Sequence, residues 1–306
     1  MKFFFAPLQG YTDAAYRRFH YETFDGCIDS YYTPFLRVEH GDVRDKDLRD
    51  ILPENNQGVK IVPQIIVKNV DEFLILINAI LPMGYQEIDV NMGCPFPLQL
   101  KKGRGAALLD QPHVVNEIMK EVACFDSVKF SVKMRLGNKD KCQWREILSI
   151  LNNAPLHHIT LHSRIATQQY KGEVDMDTFS LFQNDCCHKL VYNGDIITIE
   201  QLSEINNRFP YLYGVMIGRG LLSNPSLVWE YVNNITLNEE EKIERFLILH
   251  NKLFQFYESK LQGESHVLTK MKTIWDYSES LIGRKALKMI KKANNIAKYS
   301  QIVSSL

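Results

Sequence analysis

Residues 87–95 have the sequence Glu-Ile-Asp-Val-Asn-Met-Gly-Cys-Pro, a short β-rich run that leads into a turn with polar and reactive side chains. The same arrangement recurs along the chain, with amphipathic segments between the runs. Most runs are continuously apolar, as expected for parallel strands covered on both faces. Eight such strands are predicted, at Phe3–Leu8, Cys27–Tyr32, Ile61–Ile66, Glu87–Val90, Val128–Met134, His157–Leu161, Leu190–Tyr192 and Tyr213–Ile217.

Repeated βα units of this number predict an α/β protein with a (β/α)8 TIM barrel, and an open doubly wound sheet is the alternative. The helical pattern between the strands is clearest at Val70–Leu81, Val114–Val122, Trp144–Leu151 and Ile199–Asn206.

The pattern changes near residue 235. Three glutamates at positions 239–241 are typical of the first turn of a helix, and no strand pattern follows them. Three further helices are predicted, at Glu244–Glu258, Val267–Ser280 and Ala286–Tyr299. We therefore expect a barrel domain over residues 1–235, followed by a small all-α helical domain over residues 236–306.

Composition excludes several protein classes. The 306 residues are 45% hydrophobic and 24% charged, which is ordinary for a folded globular protein and excludes a disordered chain. The six cysteines include no CxxC pair, so no metal site is predicted. The apolar N-terminal run is too short for a signal peptide, and no run approaches the ~18 residues of a membrane span. We expect a cytoplasmic, monomeric protein with no membrane contact.

Charge is unevenly distributed along the chain. Lysine plus arginine balances aspartate plus glutamate at 36 each, yet residues 266–306 carry a net charge of +6. A basic helical tail on a neutral protein is a candidate contact for a polyanion. A solvated helix face explains the same charge equally well.

Reactive side chains follow seven of the eight predicted strands. In a barrel, the active site lies at the C-terminal ends of the strands. Gly194, Gly218 and Gly220 follow the last two strands and allow backbone N–H groups to approach a ligand closely. Two such loops in consecutive late positions predict a phosphate site, with Arg219 as a charged donor.

Cys94 is the strongest single candidate for a catalytic residue. A single cysteine is more often a small buried hydrophobe than a reactive group. This one lies in a Gly-Cys-Pro turn after the fourth strand, close to Asn91, and its neighbours restrict the backbone. The other five cysteines lack such a setting and are interpreted as structural.

Seven motifs, taken in order, resemble the flavin-dependent tRNA-dihydrouridine synthases. The resemblance covers most of residues 1–235, and it is the order and spacing of the motifs that make it specific. The motifs are Ala6–Leu8 and residues 89–95, 103–109, 132–135, 162–172, 193–196 and 215–220.

The resemblance implies FMN as the cofactor and NADPH as the electron donor. It places the FMN phosphate on the two late loops and the ring against the first strand end, with polar contacts from the barrel interior. The implied cofactor-binding residues are Ala6, Pro7, Leu8, Gln64, Lys133, His162, Asn193, Gly194, Asp195, Gly218 and Arg219.

The implied reaction is reduction of specific uridines in tRNA to 5,6-dihydrouridine. Hydride passes from N5 of reduced flavin to uracil C6, and Cys94 is the general acid that protonates C5. A thiol can do this only while protonated, so no strong activation of a thiolate is expected. The uridine must also be flipped out of folded RNA.

The same resemblance suggests which side chains meet the RNA. Asn91 is expected to read the uracil edge through its amide. Arg135, Arg164 and Tyr170 are candidates for phosphate or base contacts at the mouth of the barrel. The tail cations expected to grip the RNA backbone are Lys270, Lys272, Arg284 and Lys288.

Other functions remain open at this point. A small-molecule flavin oxidoreductase of the dihydroorotate or dihydropyrimidine type would share the phosphate loops but would not need a basic tail. Ribosomal RNA is an alternative substrate, and a catalytically silent RNA-binding barrel is a third reading. The sequence does not specify which uridine is reduced.

Overall fold

The computed structural model describes all residues, 1–306. Nine parallel strands form one sheet, and two more form a short antiparallel hairpin. The strands are β1 (Lys2–Phe5), β2 (Ser30–Tyr32), β3 (Val38–Glu39), β4 (Asp42–Val43), β5 (Ile61–Val62), β6 (Gln64–Ile65), β7 (Glu87–Met92), β8 (Lys129–Gly137), β9 (Leu156–Ile165), β10 (Leu190–Asn193) and β11 (Gly214–Ile217).

The order of the sheet is β5-β2-β1-β11-β10-β9-β8-β7-β6. Its two outermost strands, β5 and β6, are one chain segment interrupted only by Pro63, which has no N–H to donate. Since β5 pairs with β2 and β6 pairs with β7, this segment closes the sheet. All eight predicted strands are therefore present, and the predicted TIM barrel is confirmed.

Fourteen α-helices surround and follow the barrel, with four short 3-10 segments between them. They are α1 (Ala14–Thr23), α2 (Asp45–Ile51), α3 (Val70–Ile80), α4 (Pro97–Lys101), α5 (Pro112–Val122), α6 (Trp144–Leu151), α7 (Met176–Asp185), α8 (Ile199–Arg208), α9 (Arg219–Ser223), α10 (Leu227–Asn233), α11 (Glu239–Lys260), α12 (Glu264–Ile274), α13 (Glu279–Lys292) and α14 (Ile296–Val303). None of them is both long and apolar enough to cross a bilayer.

The helices between strands form where the sequence predicts them, because each has an apolar stripe, and α3 and α8 also begin at a side-chain cap. In α3, Phe73, Leu76 and Ile77 are fully buried against the barrel. The side chain of Asn69 accepts a hydrogen bond from the Glu72 N–H at 3.1 Å, which satisfies one of the free donors of the first turn.

One prediction for the C-terminal region is wrong. Ala286–Tyr299 is not a single helix, because α13 ends at Lys292 and α14 begins at Ile296. Asn295 starts the new helix by accepting a hydrogen bond from the Lys298 N–H at 2.8 Å. The region after the last strand therefore holds more and shorter helices than its periodicity suggests.

The C-terminal helices pack against the β1–α1 connection at the mouth of the barrel. The Tyr257 hydroxyl donates to Asp13 at 2.8 Å, and the Tyr11 hydroxyl donates to Asp276 at 3.0 Å. Leu249 and Trp275 belong to the same continuous apolar core as the barrel. The helical region thus forms one wall of the space above the strand ends.

Candidate active site

A cavity of about 1470 Å³ opens at the C-terminal ends of the strands. It collects most of the predicted site residues from across the sequence. Those that line it are Ala6, Pro7, Leu8, Gln64, Asn91, Cys94, Lys133, Arg135, His162, Tyr170, Asn193, Gly194, Asp195, Gly218, Arg219 and Lys270. Arg164, Lys272, Arg284 and Lys288 lie outside the lining.

The turn that carries Cys94 is held by its own neighbours. The Asn91 Oδ1 accepts hydrogen bonds from the N–H groups of Gly93 at 3.0 Å and Cys94 at 2.8 Å. On the other side, the Cys94 carbonyl accepts from the Ala106 N–H at 3.1 Å. A Cβ at Gly105, where φ is +63°, would lie 2.8 Å from that carbonyl oxygen. The thiol therefore sits on a backbone with little freedom.

A buried hydrogen-bond chain supports this turn from inside the barrel. Ser131 Oγ donates to Asp89 at 2.6 Å, and Gln64 Nε2 donates to the other Asp89 oxygen at 2.7 Å. Asn91 Nδ2 then donates to Gln64 Oε1 at 2.7 Å. The carboxylate of Asp89 thereby fixes which way the Gln64 amide points, and Gln64 fixes the amide of Asn91.

Most of the hydrogen-bonding capacity of the Asn91 side chain is used inside the protein. Its amide oxygen has two lone pairs, and both are used by backbone N–H groups of the Cys94 turn. Its nitrogen already serves Gln64. Asn91 therefore positions Cys94, and its second amide hydrogen is left to donate to a uracil carbonyl oxygen, a contact that stays a prediction.

Burial sets the charge states around Cys94. It raises the pKa of Asp89 to about 7. Burial, and then the neighbouring Arg135 cation, lower the pKa of Lys133 to about 8. Burial also raises the pKa of the Cys94 thiol, against the opposing influence of the Phe96 N–H and of both cations. The thiol is accordingly protonated at neutral pH, and the Lys133 amine has no hydrogen-bond partner within the chain.

On the opposite side of the cavity, the loops after β10 and β11 present unpaired backbone donors. The N–H groups of Gly194 and Gly218 donate to no backbone carbonyl. Asn193 ties the two loops together by donating to the Met216 carbonyl at 2.7 Å. A Cβ at Gly220 would lie 2.0 Å from the Ile196 oxygen, so only glycine allows this approach. Free N–H donors held this way suit an anion.

The expected RNA contact of Arg164 is wrong. Its side chain is 1% exposed and its guanidinium ion-pairs with Asp195. It also donates to the Gly172 carbonyl at 2.5 Å and to His162 Nε2 at 3.0 Å. Arg164 is therefore an internal brace for the loop after β9.

His162 is oriented by that brace. Because Arg164 donates to Nε2, the neutral imidazole carries its proton on Nδ1. Burial and the surrounding cations, of which Arg135 is foremost, hold the pKa of His162 well below its ordinary value. The ring thus offers the cavity a neutral N–H donor.

Tyr170 lies at the mouth of the cavity between two cations. The Arg219 guanidinium lies 4.2 Å from the centroid of the Tyr170 ring, and the Arg135 guanidinium lies 5.5 Å from the same centroid. Arg135 is held in turn by the carbonyls of Gly93 at 3.0 Å and Gln169 at 2.7 Å. Arg219 also pairs with Asp195 at 2.9 Å.

Sequence reasoning missed one whole wall of the cavity. The segment after β2, which includes the β3–β4 hairpin and α2, contributes Phe35, Arg37, Arg44, Lys46 and Arg49. The second strand is the one for which no functional strand end was predicted. The dense charge of residues 37–50 is the signal that could have found it.

The tail cations predicted to hold RNA are in different surroundings. Lys270 lines the cavity, where it pairs with Asp13 at 2.8 Å and donates to the Gly10 carbonyl at 3.3 Å. Lys272 is half-buried, while Arg284 and Lys288 are exposed on the outer part of the helical region. A role for these last three in RNA binding stays a prediction.

Comparison with known proteins agrees with this geometry. The sequence profile of the family described as "Dihydrouridine synthase (Dus)" matches residues 4–304. A probable tRNA-dihydrouridine synthase of Helicobacter pylori is 29% identical over 285 residues, covering 90% of this chain and 82% of the relative. The tRNA-dihydrouridine synthase B of Pasteurella multocida is 29% identical over 232 residues, covering 74% and 67%.

Among solved structures, the old yellow enzyme of Trypanosoma cruzi shares the fold with a TM-score of 0.56 at 11% identity, covering 82% of this chain and 93% of that one. The family profile extends past the barrel and through the C-terminal helices, beyond the motifs that carry the sequence resemblance. The chain therefore belongs to the dihydrouridine synthase (Dus) family.

Proposed function

We propose that this protein is an FMN-dependent tRNA-dihydrouridine synthase that reduces specific uridines in cytoplasmic tRNA, with NADPH as the electron donor. The observation that carries the proposal is one cavity that holds a protonated Cys94 thiol and an unpaired Lys133 amine on one side. Unpaired N–H groups of Gly194 and Gly218 lie on the other side.

The residues present fit FMN. The free N–H groups of Gly194 and Gly218, with the Arg219 guanidinium, suit a phosphate. Lys133 has an amine without a partner and His162 offers a neutral N–H, so both can donate to the oxygens of a flavin ring. Ala6 and Leu8 lie beside Gly218, where a Cβ would contact them at 3.3 and 3.6 Å, and they give the ring an apolar support.

When bound, FMN would supply the hydride that reduces the uracil ring. The protein's own task is to place a proton at C5, and Cys94 carries one. Because burial raises the pKa of the thiol, it keeps its proton until charge develops on the uracil. The fixed turn around Cys94 limits the positions from which that proton can be delivered.

The charge of the cavity supports a polyanionic substrate. The chain has no net charge, yet the residues that line the cavity carry a net charge of +5. Its volume of about 1470 Å³ exceeds the roughly 300–1,000 Å³ of typical small-molecule sites. These features favour an extruded base of a large RNA over a free pyrimidine, and we propose that residues 236–306 take part in holding that RNA.

The proposal is tested with Cys94→Ala in the FMN-loaded protein, and Cys124→Ala, which changes an exposed thiol, is the control. We expect the Cys94 variant to bind FMN and accept electrons normally, while dihydrouridine formation in tRNA falls about 10²–10⁴-fold, the usual contribution of a general acid. The substrate is tRNA from a strain that lacks this protein, with dihydrouridine mapped before and after reaction.

An unchanged rate would remove Cys94 as the acid. Purified wild-type protein that takes up no FMN would overturn the flavin reading. Wild-type protein that reduces free uracil or orotate as well as it reduces tRNA would favour the small-molecule reading instead. Formation of dihydrouridine in ribosomal RNA alone would replace the tRNA assignment.

A further inference from the structure

An exposed apolar segment adjoins the catalytic thiol. In Pro95–Leu98, which directly follows Cys94, the Phe96 side chain is 55% exposed and the Leu98 side chain is 59% exposed. Phe96 lines the cavity together with both flanking prolines. Among the exposed large apolar side chains, Phe96 belongs to the segment that directly follows the catalytic cysteine, so its exposed ring lies at the entrance to the site.

The segment is rigid, so this exposure is built into it. Pro95 and Pro97 fix their own φ angles, and Phe96 between them has φ −68° and ψ 126°. The Phe96 carbonyl accepts from the N–H groups of Gln99 at 2.9 Å and Leu100 at 3.1 Å. Little backbone entropy is therefore lost when a partner covers the aromatic ring.

The charges beside the segment identify the kind of partner. Lys101 and Lys102 lie at the end of the following helix, exposed and in no ion pair. Lys46, which lines the cavity, is also exposed and in no ion pair. The partner must offer flat apolar faces next to negative charge, and a stretch of RNA offers both, as stacked bases on a phosphate backbone.

We propose that Phe96 is a wedge that enters the RNA base stack next to the uridine presented to Cys94. This inference rests on the proposed function and deepens it. Extruding a base leaves a gap and loses stacking on both sides. An aromatic ring placed in that gap restores part of the stacking and keeps the uridine from returning.

The test compares Phe96→Ala and Phe96→Trp with a matched control, Tyr211→Ala, which removes a 92% exposed aromatic that does not line the cavity. Each FMN-loaded protein is reduced first, and its reoxidation is followed with two substrates. One is folded tRNA that lacks dihydrouridine, and the other is a short unstructured oligonucleotide that contains uridine and needs no extrusion.

For Phe96→Ala we expect kcat/KM on folded tRNA to fall about 5- to 150-fold, the range expected for one lost base–aromatic stack. On the unstructured oligonucleotide we expect less than a 3-fold change. Phe96→Trp should retain activity on both RNAs, and Tyr211→Ala should match wild type.

Three results would overturn the wedge. One is unchanged turnover of folded tRNA by Phe96→Ala. The second is an equal loss on both RNAs, which would mean that the ring supports Cys94. The third is a changed oligomeric state in Phe96→Ala, which would make the segment a contact between copies. Wild-type protein inactive on every RNA would overturn the proposed function and the wedge together.

Discussion

Replacing Asn91 by alanine should test how the catalytic turn is held. The substitution removes three hydrogen bonds, two from the N–H groups of Gly93 and Cys94 to the amide oxygen and one from the amide nitrogen to Gln64. Asn91 is 7% exposed, so bulk water does not simply replace the amide.

The loss can be estimated from the number of groups left unpaired. A buried polar group that loses its partner costs about 1–3 kcal/mol, and the cavity allows water to reach some of the three. We expect the free energy of unfolding to fall by about 3 kcal/mol. Dihydrouridine formation should fall as well, because the thiol is no longer held over one position.

The measurement is urea unfolding of the FMN-free protein, followed by tryptophan fluorescence. Asn207→Ala is the matched control, since Asn207 is exposed on α8 and its side chain makes no hydrogen bond. The positioning argument fails if the unfolding free energy of Asn91→Ala lies within about 0.5 kcal/mol of the wild-type value while RNA turnover is lost, because the residue would then act on the substrate. That bound is about half of the net contribution of one typical hydrogen bond.

Three further predictions follow from the cavity. Burial raises the pKa of Asp89 from 3.8 to about 7 in the folded protein. The contribution of this group to folding stability is therefore full at low pH and is lost as the pH rises from 3.8 to about 7. Asp89→Asn should remove this pH dependence. Between pH 5 and pH 7, the difference in unfolding free energy between the variant and wild type should shift in favour of the variant by up to about 1.4 kcal/mol per pH unit. A difference that stays constant with pH would contradict this. In Gly220→Ala the new Cβ would meet a backbone oxygen at 2.0 Å, so we expect about 1–3 kcal/mol of destabilisation and weaker FMN binding by titration, and an unaffected FMN affinity would argue against the phosphate loops. The unpaired cavity cations Lys46 and Lys260 should each contact a phosphate, so Lys46→Gln and Lys260→Gln should each lower the slope of log Kd against log salt by about 0.7–0.9, whereas an unchanged slope would exclude the contact.

Much of the site can be predicted from short stretches of the sequence. The apolar runs predict the strands, and the residues that follow each run must lie at one end of a parallel barrel. The sequence therefore predicts that Cys94, Lys133, Gly194 and Gly218 lie near one another. Motif order then indicates the family. No long-range contact needs to be known for any of these steps, because strand direction alone decides which end each residue occupies.

The tertiary structure alone decided what each side chain is free to do. Asn91 and Arg164 have the residue types of substrate contacts, yet the amide oxygen of Asn91 is used by the Cys94 turn and the guanidinium of Arg164 by Asp195. The partner Gln64 is 27 residues from Asn91, and Asp195 is 31 residues from Arg164. A hydrogen-bonding group has few donors and lone pairs, and only the folded arrangement determines whether distant neighbours have already taken them.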